Sequence, residues 1–198
     1  MNKIITIICL FFLLKGIAQN KKATLYFKDG TIQTGLAKKT DFNEIKFRIN
    51  KESKNVKYNS RTISKMILNE GKVDVEYVYR TIPDRKNPVL LEPLEKGSIT
   101  IYKENKKNIG GSISTYFYIS KGNGNMAFKL GHVNYPFHLR LINPNKRFNY
   151  NTKSRKILKK ALSNFKDCPD LMKKIENKEF KKKGILKIVK YYNANCGS

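Results

Sequence analysis

Residues 154–196 read SRKILKKALSNFKDCPDLMKKIENKEFKKKGILKIVKYYNANC, and this stretch decides how the chain is closed. Its apolar residues recur at the spacing of a helical face, with Lys159, Lys160 and Lys166 mostly on the opposite side. We therefore predict two or three amphipathic helices with basic outer faces. The predicted apolar stripes are Ile157, Leu158, Ala161, Leu162 and Phe165 in the first helix, Leu171 and Ile175 in the middle one, and Ile185, Ile188, Val189 and Tyr192 in the last.

The middle helix has a recognisable start. Asp167 is predicted to cap it, Pro169 is tolerated in its first turn, and Asp170 suits the positive end of the helix dipole. A bridge between Cys168 and Cys196 would then join the start of this helix to the end of the last one.

Residues 1–18 have the layout of a signal peptide. Lys3 provides a basic start, residues 4–14 (IITIICLFFLL) are apolar, and the small residues Gly16 and Ala18 precede a cut before Gln19. The apolar run is shorter than the roughly 20 residues that a membrane-spanning helix needs. We expect a periplasmic or secreted protein, cleaved near Ala18; an uncleaved anchor is the alternative.

Export changes how the cysteines are interpreted. Cys9 leaves with the signal, so Cys168 and Cys196 remain, and an even number in an exported protein favours a disulfide bond. Closing a loop of this length contributes about 3–4 kcal/mol in the chain-entropy model. A reactive or metal-binding thiol is the alternative, which the lack of a CxxC motif and of a nearby histidine disfavours.

Five short strands are predicted before residue 70. Asp29-Gly30 separates the first two, because this pair supplies the positive φ of a tight two-residue turn. Ile45, Phe47 and Ile49 alternate with basic residues, so one face of the third strand is predicted to be buried. The strands are predicted around residues 25–27, 31–35, 45–49, 56–58 and 63–68.

The order LYFKDGTIQTG, NEIKFRI and KYNSRTISKMIL resembles Sm-like and SH3-like barrels, including the bacterial Sm-like RNA chaperone, over residues 23–68. The resemblance implies a small, strongly bent β-barrel for residues 19–81. Asn59-Ser60 stand where that RNA chaperone has a Lys-His pair, so the residues that contact RNA are missing. We therefore predict the barrel without the RNA-binding role.

Residues 82–142 are predicted to form a β-meander. Two prolines in residues 82–88 (IPDRKNP) mark its boundary with the barrel. Tyr116, Phe117 and Tyr118 are predicted to pack one face of the meander, with stacking on bases or sugars as the alternative. A basic linker at 143–153 then leads to the helices at 154–196, so the predicted fold class is α+β.

The AQ end of the signal, the YFYISKG hairpin and the tail DCPDLMKKI…FKKKGILKIVKYYNANC together resemble secreted proteins of unassigned function from the Bacteroidota. The resemblance spans most of the chain. It implies a compartment and an architecture, and it implies no activity.

The net charge of +26 favours anionic partners. The chain has 34 Lys and 7 Arg, and Lys lacks the planar fork that reads bases and phosphates, so no specific nucleic-acid readout is expected. We predict that the helical face contacts an anionic envelope polymer or a membrane surface, with a merely solvated lysine surface as the alternative. The predicted binding residues are Lys156, Lys159, Lys160, Lys181, Lys182, Lys183, Lys187 and Lys190.

Catalytic groups are sparse. His132 and His138 are the only histidines, no acidic residue lies between 105 and 166, and no cofactor or metal is expected. Two imidazoles beside Lys129 and Arg140 could run acid–base cleavage of RNA, so a secreted ribonuclease-like hydrolase is the alternative function. The function that we predict is that of a non-catalytic interaction protein.

Intact mass of the exported protein checks processing and oxidation together. We expect a chain that begins at Gln19 and gains two hydrogen atoms on reduction, because one disulfide is opened. Full-length chain with both thiols open to alkylation would contradict the predicted export.

Overall fold

The computed structural model describes residues 20–109, 111–122, 124–135, 155–180 and 184–197. Within these ranges ten strands form one antiparallel sheet, and a short helical part follows. The predicted signal peptide and the predicted linker lie outside the described residues. The strands are β1 (Lys21–Phe27), β2 (Ile32–Lys39), β3 (Ile45–Arg48), β4 (Val56–Tyr58), β5 (Ile63–Asn69), β6 (Asp74–Arg80), β7 (Val89–Glu95), β8 (Ile99–Lys107), β9 (Ile113–Lys121) and β10 (Phe128–Tyr135). The helices are α1 (Arg155–Ala161), a 3₁₀ helix (Leu162–Phe165), α2 (Pro169–Glu176) and α3 (Gly184–Asn195).

The strands lie in the order β10-β9-β8-β7-β6-β5-β1-β2-β3-β4, and β1–β5 is the pairing that skips along the chain. In the described part of the chain this sheet is open, because β4 pairs with β3 and forms no ladder with β5. An α+β protein with a mostly antiparallel sheet is thus confirmed, whereas a closed small barrel over residues 19–81 is not.

The hairpin between β1 and β2 is one residue longer than predicted. The backbone N–H of Phe27 donates to the carbonyl of Thr31 at 2.9 Å, which leaves Lys28, Asp29 and Gly30 in the loop. Gly30 has φ of 90°, as expected where a turn is followed by a left-handed residue. The Asp29 carboxylate accepts from the amide and hydroxyl of Thr31, and these hydrogen bonds lower the pKa of Asp29.

An N-terminal core lies on one face of β1–β6, with Leu25, Ile45, Ile63 and Met66 fully buried. The predicted burial of Ile49 is wrong. β3 ends at Arg48, and Ile49 is 66% exposed because the chain has already turned away from the sheet.

Strand β7 connects the two halves of the sheet and is buried on both faces. Leu90 belongs to the N-terminal core, while Val89 and Leu91 belong to another cluster with Tyr102 and Tyr118. Since β7 pairs with both β6 and β8, the sheet runs on through the boundary predicted at residues 82–88.

A buried ion pair lies at this junction. Glu92 of β7 and Lys103 of β8 are directly opposite in the ladder, and Lys103 Nζ is 2.7 Å from Glu92 Oε1. The side chains are only 9% exposed for Lys103 and 16% for Glu92. They share a face with Leu90 and Ile101, between the N-terminal core and the core beneath the helices.

The helices cover one face of β8–β10, and the predicted helical stripes are confirmed except at Leu162, which begins the 3₁₀ helix and is not part of this core. Ile157, Ala161, Phe165, Leu171 and Tyr192 are buried against the sheet or one another. Among the helices of the described ranges, none has the length and hydropathy of a membrane-spanning segment.

The disulfide bond between Cys168 and Cys196 is present, joining the start of α2 to the end of α3. The predicted cap by Asp167 is wrong, since Cys168 is the N-cap residue of α2 and no side-chain cap hydrogen bond forms. The Asp167 carboxylate instead accepts from Lys121 Nζ at 2.7 Å and from the Tyr192 hydroxyl at 2.8 Å. These partners lower the pKa of Asp167.

The aromatic residues of β9 are divided between two faces, so their predicted packing on one face is wrong. Phe117 lies in the core beneath the helices, whereas Tyr116 and Tyr118 contact the cluster on the opposite face. Alternation along a strand requires this division.

Asn193 of α3 fastens the helical layer to the start of β8. Its side-chain oxygen accepts from the N–H of Ile99 at 2.9 Å, and its Nδ2 donates to the carbonyl of Ile99 at 2.8 Å. Gly97 is needed beside it, because a Cβ there would collide with the Asn193 side chain.

Glu92→Gln should lower the free energy of unfolding by about 3 kcal/mol, because a neutral amide replaces the carboxylate that faces the buried ammonium of Lys103. The matched control is Glu76→Gln in the more exposed Glu76–Lys96 pair, which should cost under about 1 kcal/mol. A double Glu92→Gln, Lys103→Met variant should recover part of the loss in urea unfolding. Equal small effects of the two single changes would contradict a structural role for the buried pair.

Candidate functional site

The predicted basic helical face consists of exposed lysines. Lys156, Lys159 and Lys160 of α1 and Lys187 and Lys190 of α3 are all exposed. Within the described residues no carboxylate forms an ion pair with any of them. The remaining three, Lys181, Lys182 and Lys183, lie outside the described residues.

His132 of the alternative catalytic set lies on β10, directly opposite Tyr116 of β9. The two ring centroids are 5.2 Å apart, and Lys129 Nζ lies 4.7 Å from the centroid of the Tyr116 ring. The structure thus brings His132 and Lys129 to one tyrosine. His138 and Arg140, the other two members of that set, lie outside the described residues.

A buried carboxylate lies next to this aromatic cluster. Glu104 is 6% exposed, accepts from the Tyr118 hydroxyl at 2.7 Å and pairs with Lys106 at 3.3 Å. Burial, and then the hydrogen bond to Glu104, raise the pKa of Tyr118. Glu104 therefore has two partners, Tyr118 and Lys106, as expected of a buried polar group that stabilises the fold.

A row of three lysines crosses the opposite half of the sheet. Lys38 of β2 is directly opposite Lys46 of β3, and Lys46 is directly opposite Lys57 of β4. All three lie on the face opposite the N-terminal core, since their neighbours Ala37, Ile45 and Phe47 are buried. We call these three residues the lysine row and this face the outer face.

The lysine row has little internal compensation. Directly opposite residues on neighbouring strands have Cβ atoms about 4.5–5.5 Å apart, and like charges in such pairs are destabilising. Lys57 is 3.8 Å from Glu44, an exposed pair, and no ion pair of Lys38 or Lys46 occurs among the described residues. The row is therefore a local concentration of positive charge that an anion would relieve.

An open groove of about 680 Å³ adjoins the lysine row on the outer face. Thr24, Thr34, Leu36 and Ile67 are among its walls, and its charged lining residues are Lys22, Lys51, Glu52 and Asp74, so the positive charge beside the groove comes from the lysine row. Gly35 allows the close approach of β3, because a Cβ at this position would collide with the Phe47 ring and the Arg48 carbonyl.

Arg48 extends the positive charge from the lysine row to the groove. It follows Lys46 by two residues on β3 and lies opposite Leu36. Its Nη1 donates to the carbonyl of Lys51 at 2.8 Å, while its buried Nε has no hydrogen-bond partner in the described part of the chain.

A second cavity, of about 410 Å³, opens between the β2–β3 turn and the ends of β8 and β9. We call it the turn cleft. Lys39, Asp41 and Asn43 line one side, and Glu104, Lys106 and Lys107 line the other.

Sequence reasoning missed both the lysine row and Lys39. The pattern shows which residues of a strand share a face, but it does not give the register that puts lysines of three strands opposite one another. The sequence does contain one signal: side chains alternate between the two faces of a strand, so the consecutive residues Lys38 and Lys39 must point to opposite faces.

Comparison with protein-family models, with curated protein sequences and with solved structures finds no match to this chain. The resemblances described from the sequence therefore stay predictions. The site is interpreted from its own geometry.

Proposed function

We propose that this protein is a non-catalytic binding protein for an anionic polysaccharide of the cell envelope, and that the lysine row is its main contact. The observation that carries the proposal is the register of Lys38, Lys46 and Lys57 on three neighbouring strands. At a strand spacing of about 4.8 Å the row spans about 10 Å, so it can engage charges on successive units of one polymer chain.

The groove favours a saccharide chain over a nucleic acid. Its described walls offer hydroxyl groups from Thr24 and Thr34 and aliphatic surface from Leu36 and Ile67, and they include no aromatic side chain. Proteins that bind single-stranded nucleic acid stack its bases on aromatic rings. Lysine is also a flexible point charge that suits carboxylate or sulfate groups without base readout.

The compartment is part of the proposal. The Cys168–Cys196 bond supports an oxidising location, periplasmic or secreted, where an envelope polymer would be met. For residues 23–68 we also propose an SH3-like or Sm-like barrel, which is supported by strands β1–β5 contributing to one core.

Binding to heparin and to a polyuronate, measured by titration calorimetry, tests the lysine row. Lys38→Gln, Lys46→Gln and Lys57→Gln together should weaken binding about tenfold or more at low salt, and wild-type affinity should fall steeply with salt. The variant should keep or slightly raise its Tm, because like-charge repulsion is removed.

The matched control removes the same charge from the helices, as Lys156→Gln, Lys159→Gln and Lys160→Gln. It should change the affinity by less than about threefold, because these three lysines lie outside the lysine row and attract the polymer only through long-range electrostatics. If only the control variant lost affinity, the binding site would be the basic helical face predicted from the sequence. Binding confined to DNA or RNA, or to none of these polymers, would overturn the proposal.

A further inference from the structure

Lys39 lies apart from the lysine row although it is the next residue. Lys38 lies on the outer face, whereas Lys39 is opposite the buried Ile45 and so points to the core side of β2. Its Nζ lies 3.9 Å from the centroid of the Tyr77 ring, and Tyr77 is only 3% exposed. The amine of Lys39 therefore lies against the rim of the N-terminal core. The Lys39 side chain as a whole is exposed, and it lines the turn cleft.

This position changes the acidity of the amine. Desolvation lowers the pKa of Lys39 to about 8, although Glu92 and Glu70 raise it. The face of the Tyr77 ring also favours the charged form, so the lowering is the result of opposing effects. At pH 7.5 a pKa of about 8 leaves roughly a quarter of the amines neutral, against about one in a thousand for an ordinary lysine.

Several other charged or titratable groups surround the amine. Lys103, beside Glu92, opposes the charged form of Lys39, whereas Glu104 favours it. The groups that face the amine are Asp41 of the turn, Glu70 between β5 and β6, Tyr77 of β6, Glu92 of β7, and Lys103, Glu104 and Lys106 of β8.

The opposite wall of the turn cleft is basic. Lys107 there is exposed and forms no ion pair among the described residues, whereas Lys106 is already paired with the one carboxylate of that wall, Glu104, at 3.3 Å. The volume of about 410 Å³ lies within the 300–1,000 Å³ typical of small-molecule sites. The cleft thus combines a lysine whose side chain reaches solvent with a cation that can hold an anionic group.

We propose that the turn cleft binds a small aldehyde or ketone that carries a phosphate or carboxylate group, and that Lys39 bonds covalently to its carbonyl carbon. The anionic group lies against Lys107. The lone pair of the Lys39 Nζ attacks the carbonyl carbon, the nitrogen gives up two protons, and the carbonyl oxygen leaves with them as water. A C=N bond replaces the C=O bond, and addition of water reverses the reaction.

Pyridoxal 5′-phosphate, an anionic aldehyde, is the probe. The purified protein is treated at pH 7.5, the imine is reduced with borohydride, and labelled lysines are mapped by peptide mass spectrometry. Lys39 should be labelled at least about tenfold above the median lysine, because far more of it is neutral. Lys39→Arg should remove the rapidly labelled site, and the matched Lys38→Arg should leave it.

Two further measurements test the basic wall. Labelling of Lys39 by pyridoxal, which lacks the phosphate, should be at least fivefold weaker, and so should labelling by pyridoxal phosphate of a Lys107→Gln variant. Label spread evenly over the lysines, with both arginine variants behaving alike, would overturn the proposal. So would Lys39 labelling that does not respond to the phosphate or to the Lys107 substitution. The proposal does not depend on the polymer-binding function of the outer face.

Discussion

The ladders of β7 with β6 and with β8 hold the sheet together where it passes from one core to the next, and the buried Glu92–Lys103 pair lies across the second of them. On one side of this pair the sheet packs on itself around Leu25 and Met66, and on the other it is covered by helices. Strand β7 belongs to both parts and is buried on both faces, so the carboxylate of Glu92 must find its partner inside the protein, in Lys103 of β8. The remaining architecture depends on that junction: without it the lysine row and the helical layer would belong to unconnected sheets.

The lysines of this protein show how location decides what a charge does. Lys121 is exposed and gains Asp167, so its pKa is raised; Lys39 is desolvated at the rim of the N-terminal core, so its pKa is lowered. The lysines of α1 and α3 are solvated, and those of the lysine row repel one another. The net charge of +26 therefore does not identify a function by itself. The two proposed sites are inferred from the positions of individual lysines.

Much of the fold follows from local pattern, and the rest depends on contacts distant in sequence. The helical stripes and most strands were predictable because each rests on spacing within one segment, and the disulfide bond followed from the number of cysteines outside residues 1–18. Strand β7 was harder, because an unbroken apolar run followed by Pro93 lacks the alternation of a strand. Asp167 was misassigned because a better partner, Lys121, comes from a distant strand. Register likewise decided the site: Lys38 and Lys46 meet only once β2 and β3 are aligned.

The hydrogen bonds between Asn193 and Ile99 have a consequence for the order in which the chain folds. These partners are 94 positions apart, and Cys196 must arrive as well before the helical layer is locked. Until then the incomplete chain carries the apolar surface of Phe117 and Ile119 uncovered. Holdase chaperones would be able to bind this apolar surface during that interval, and formation of the Cys168–Cys196 bond would end it.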